Sequence, residues 1–192
     1  MKRHILSLAS VLAMAVSTAS AQTSDTATGE VGVYGNVARL CVLGAPSPAT
    51  VDVGQMATTS GPRVGRIATI GVQNVTLPGS FCNFAGSHLT VTATALVSDD
   101  TISVQPGFSK AVNYTATASN WSGTPTSVTT TAVASGSTPT ATSSGSDQPL
   151  PHIADLNVAL SGFTAPSDLL LTAGNYSGLV VVTLGPAATQ GE

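Results

Sequence analysis

Apolar and polar residues alternate along this chain in short runs. Leu89, Val91, Ala93 and Ala95 fall on one parity, opposed by Thr90, Thr92 and Thr94. A repeat of two with one apolar face describes a strand with a core on one side and water on the other. Runs of Val, Thr, Ile and Ala, separated by Gly, Pro, Ser and Asn, predict strands over residues 31–43, 50–53, 66–77, 88–97, 111–121, 153–160 and 179–184. Helical periodicity is nearly absent, so the expected fold is an all-β sandwich. In the last run Val180, Val182 and Leu184 share one parity and Leu179 and Val181 the other. A run apolar on both faces predicts a buried strand, central or at the edge of a groove.

Two stretches depart from this texture. Residues 122–151 are biased toward Ser, Thr, Gly and Pro and read as a long surface excursion with one strand over 127–134. Tyr114 and Trp121 sit on opposite parities of one strand, which predicts that only one of them faces the core. Trp121, between Asn120 and Ser122-Gly123, is the one expected at a rim.

The N-terminus changes the picture. Lys2 and Arg3, an apolar stretch over 5–16 and then Ala19-Ser20-Ala21 make the three parts of a secretory signal, predicting cleavage after residue 21. The apolar stretch is shorter than the roughly 20 residues of a membrane-spanning helix, and no membrane span is expected in the mature chain. An exported chain ends where thiols oxidise, so Cys41 and Cys82, 41 positions apart, are expected to form one disulfide. Closing a loop of that size contributes roughly 4 kcal/mol in the chain-entropy account.

Charge and chemistry narrow the function classes. Beyond the signal, four basic side chains (Arg39, Arg63, Arg66, Lys110) face nine acidic ones, and only 8% of the chain is charged. Such a chain has no means of neutralising several phosphates, which argues against nucleic acid as a partner. His88 and His152 lack a second His or a Cys at metal-ligand spacing and read as surface residues. Asp99 and Asp100 are neighbours, so in a strand they would point opposite ways, unsuited to shared acid–base work. Arg63 and Arg66 flank a Gly-containing turn that reads as a solvated loop, with anion binding as the second reading. No catalytic residue, metal site or cofactor site is assigned, and an enzyme is disfavoured.

Residues 33–42, Val-Tyr-Gly-Asn-Val-Ala-Arg-Leu-Cys-Val, resemble the opening of bacterial chaperone–usher pilins, where a Gly and a short β-run precede a Cys. Val51-Asp52-Val53-Gly54 is similar to a signature that follows in those subunits. Phe81-Cys82 lies where their second cysteine falls. Residues 173–184, opening Ala-Gly-Asn-Tyr and continuing into alternating apolar positions, resemble the last pilin strand. The resemblance implies a single immunoglobulin-like, pilin-type sandwich domain over 34–186 that lacks its final strand, with a polar tail over 187–192. It implies that a periplasmic chaperone lends a strand and that a neighbouring subunit's N-terminal extension later replaces it during assembly at an outer-membrane usher. Residues 22–33 are the expected donor arm, and Val31, Val33, Val180, Val182 and Leu184 the expected subunit contacts.

Two function classes follow. One is a structural subunit of a surface fibre, passing through the periplasm to the cell surface, assembled with like subunits and contributing to adhesion. The other is a self-contained secreted sandwich that binds a protein or carbohydrate. They differ in whether residues 22–33 pair within their own domain.

Overall fold

The computed structural model describes Thr26 and residues 28–186; the expected signal over 1–21 and tail over 187–192 lie outside the described residues. The chain divides into two units, Met1–Val37 and Ala38–Glu192, and every strand among the described residues belongs to the second. Residues 28–37 of the first unit form no strand, and Val31, Val33, Tyr34 and Val37 are each more than four-fifths exposed.

The second unit is all-β. Twelve strands follow in order: β1 (Cys41–Val42), β2 (Gln73–Cys82), β3 (Ser87–Ala93), β4 (Leu96–Ser98), β5 (Phe108–Ser109), β6 (Ala111–Ser119), β7 (Thr126–Thr129), β8 (Ala141–Ser144), β9 (His152–Thr164), β10 (Leu170–Leu171), β11 (Tyr176–Ser177) and β12 (Val180–Pro186). One sheet runs β1-β2-β9-β6-β4-β11 with β7 also paired to β6; a second runs β12-β3-β8; β10 and β5 form a small parallel pair. The expected all-β sandwich is present.

The alternation read from the sequence is the alternation of burial. In β3, Ser87, Leu89, Val91 and Ala93 are buried while His88, Thr90 and Thr92 face outward, where Thr90 and Thr92 meet Ser144 and Thr142 across the ladder at 3.3 and 3.1 Å. In β6, Tyr114, Ala116 and Ala118 point inward, and Thr115 and Thr117 meet Thr129 and Ser127 outside at 2.8 and 2.9 Å. Hydroxyl ladders of this kind replace the charge this surface lacks.

Two bulges aim core side chains. In β9 the register shifts opposite Asn113–Thr115, with Gly162 in the left-handed region at φ 65°. The extra residue flips parity after Leu160 and turns Phe163 inward, where its ring stacks on Tyr114 at 5.7 Å between centroids. In β2 the shift lies between Leu77 and Ser80. Ser80 Oγ there donates to Leu77 O and accepts from Gly44 N–H, each at 3.0 Å. A Cβ on Gly44 would lie 1.9 Å from Pro78 O, so only glycine permits this close approach.

Several expected elements differ. The strand expected over 31–43 shrinks to Cys41–Val42, because Gly32 and Gly35 and the solvent-exposed valines around them give the segment nothing to pack against. Residues 50–53 form no ladder, lying between Pro48 and the left-handed Gly54 (φ 69°). The expected 66–77 strand starts only at Gln73; its first half closes a loop in which Thr58 N–H donates to Arg66 O at 2.8 Å. The 122–151 excursion holds two strands, β7 and β8, each on a different sheet.

Trp121 corrects the rim expectation. It is 2% exposed and Tyr114 3%, so both are in the core. Parity fails because β6 ends at Ser119 and Asn120 adopts φ 72°, turning the next side chain inward. The Trp121 indole then meets the His152 ring edge-on at 5.2 Å.

Candidate functional site

Cys41 and Cys82 are directly opposite each other in the β1–β2 ladder and are joined by a disulfide, with Cα atoms 4.1 Å apart. The bond fastens a strand of two residues to β2, which pairs along its length with β9. A second clamp lies just before it: Asn83 Oδ1 accepts from Leu40 N–H at 2.7 Å, and its amide donates to Ala38 O at 2.8 Å. The Arg39 guanidinium sits 4.0 Å from the centre of the Phe84 ring. The sandwich therefore holds its chain firmly from Ala38 onward.

β1 and β12 are the terminal strands of their sheets, and each has an outer edge without a ladder among the described residues. The two approach to within 8 Å between Cα atoms. Beside them opens a groove of about 1130 Å3, walled by two continuous runs, 48–57 and 171–182. Its floor is the inner face of the sandwich: Val75 and Leu77 of β2, Val158 and Leu160 of β9, and Phe163 against Tyr114. Small-molecule sites span about 300–1,000 Å3. A groove above that range, bounded by extended chain, suits an extended polypeptide better.

The groove is nearly without charge. Asp52 is the one charged residue among those lining it, and its carboxylate is occupied by Gly54 N–H at 2.8 Å. The wall from 173 to 179 is held by fixed contacts: Asp99 accepts from Asn175 N–H and its side-chain amide at 2.9 and 3.0 Å. These bonds hold the Asp99 carboxyl below its ordinary range. Leu179 N–H donates to Thr94 Oγ1 at 3.0 Å, and Gly178 passes so close to Ala95 that a Cβ would lie 2.8 Å from its carbonyl oxygen.

The expected contact residues divide between the two units. Val180 and Val182 line the groove, half-buried, and Leu184 continues the same parity against the core. Val181 and Leu179, expected to be covered, are 43% and 62% exposed. β12 is thus a groove-edging strand with one wet face. Val31 and Val33 lie on the exposed segment of the first unit. The sequence reading missed most of the groove. Val75 and Leu160, partly exposed at its floor, look like ordinary strand residues in the sequence, since nothing local tells a covered apolar face from one left open.

The polar candidates prove to be structural. Arg63 donates twice to the Asp168 carboxylate, at 2.7 and 3.1 Å, and Arg66 reaches the same residue, tying the 58–66 loop to the turn at Pro166–Asp168. The Arg63 hydrogen bond holds the Asp168 carboxyl below its ordinary value. His88 is half-buried, with Nδ1 3.0 Å from Asp147. Among the described residues no cluster of His, Cys, Asp or Glu could hold a metal ion, and no helix is long and apolar enough to cross a membrane. No family model matches this chain, and neither a curated protein nor a solved structure matches it.

Proposed function

We propose that the protein is a structural subunit of a bacterial surface fibre, assembled by strand donation and contributing to adhesion. The observation that carries this reading is the apolar-floored groove, with Asp52 as its one charged lining residue, beside the bare edge of β12. A polypeptide entering it as a strand would hydrogen-bond to the β12 backbone and set alternate side chains on Val75, Val158 and Leu160. Left open, the same groove exposes apolar surface and an unpaired edge, both hazards for aggregation. A periplasmic chaperone that covers the groove in transit, and an outer-membrane usher that exchanges it for the next subunit, answer that hazard. Trp121, the aromatic expected at a rim, is in the core and offers no stacking face to a carbohydrate.

Electrophoresis of the exported protein in detergent, with and without boiling, tests the reading. The expected result is a ladder of oligomers that collapses to monomer on boiling, with yield dependent on a co-expressed periplasmic chaperone. A protein that accumulates as a stable monomer without any chaperone would contradict it.

A further inference from the structure

Which part of the arm enters the groove is a separate question, and its answer rests on the strand-donation reading. We propose that the inserting segment is residues 31–37 of a second copy, with Val31, Val33 and Val37 as its anchors, rather than the polar stretch next to the expected cleavage site. Three observations carry this. First, these three valines are 87%, 89% and 84% exposed, and all are odd-numbered, so in an extended chain they stand on one face. Exposed apolar side chains in a row are what an uncovered donor presents. The residues before them offer Thr23, Asp25, Ala27 and Gly29 on that same parity, with a carboxylate where an apolar pocket needs a methyl group.

Second, the segment and its receptor match in length and charge. Residues 31–37 make seven positions without a charged side chain, and β12 offers a seven-residue edge, Val180–Pro186, whose inward residues Val180, Val182 and Leu184 have the same spacing of two. Third, the sandwich clamps its own chain from Ala38 through the Asn83 hydrogen bonds and the Arg39–Phe84 contact. Residues beyond that clamp are committed at home, so a donor ends by residue 37. Gly35 falls on the anchor face between Val33 and Val37, which leaves one position where the segment presses least on the groove floor.

The test uses the full exported chain in two altered forms. One carries Val31→Asp, Val33→Asp and Val37→Asp; the other lacks residues 22–29. All three valines are solvent-exposed, so the substitutions leave the sandwich intact, which its thermal unfolding checks. The expected result is that the triple variant runs as monomer, with association weakened at least about tenfold per valine, while the deletion still assembles. Assembly by the triple variant but not by the deletion would overturn this segment and leave strand donation standing. A wild type that remains monomeric alongside both would overturn this segment together with the fibre reading.

Discussion

Tyr114 shows how one residue couples the core to pH. Its ring stacks on Phe163 and its hydroxyl donates to Thr94 O at 2.8 Å. Burial pushes its pKa up to about 12, above the ordinary value near 10. The charged form is therefore disfavoured in the folded protein. A pKa raised by folding gives stability that is fully present below the unfolded value and is lost as pH rises through the folded one. Stability should fall between about pH 10 and 12 from this residue. Burial raises Tyr176 in the same direction. Denaturant unfolding at pH 8, 10 and 11 checks this: Tyr114→Phe should lose about 1 kcal/mol at pH 8 for the missing hydrogen bond and show a shallower fall above pH 10. An equal fall in both proteins would assign the alkaline loss to other groups. The residue scale is also where sequence parity misled. Asn120 at φ 72° is invisible to an alternation pattern, and it alone sends Trp121 inward.

At the scale of elements, long strands were legible and short ones were not. β3 and β6 carry their own burial pattern, and their alternation needs no knowledge of a partner. β1 and β10 are two residues each and exist only because a neighbouring strand lies alongside, β2 and β5 respectively. The disulfide was readable from the two cysteines and the expected export signal, and here it supports the weakest element. With only two residues of ladder, β1 depends on Cys41 and Cys82 and on the Asn83 clamp to stay in place, just before Leu43 enters the groove lining. Replacing both cysteines by serine should lower stability by about 2–4 kcal/mol, measured by denaturant unfolding. It should also weaken assembly, since Leu43, which lines the groove directly after β1, loses its anchor. A variant that keeps wild-type stability would show that hydrogen bonds alone secure β1.

For the whole molecule, the decisive feature is what the sandwich leaves uncovered. Its all-β character follows from periodicity and its pairing from the cysteines, but the groove is a property of two sheets whose terminal strands are far apart in sequence. The final strand is expected to be buried, central or at the edge of a groove, yet its outward face, Val181 and Thr183, is wet. A strand-donation account places a new neighbour on one specific edge, that of β12 facing away from β3. Hydrogen–deuterium exchange over Val180–Pro186, compared between monomer and assembled material, tests this most directly. The account predicts that amides on that edge exchange fast in the monomer and become protected on assembly, while those paired to β3 change little. Equal exchange of the whole strand in both states would contradict it.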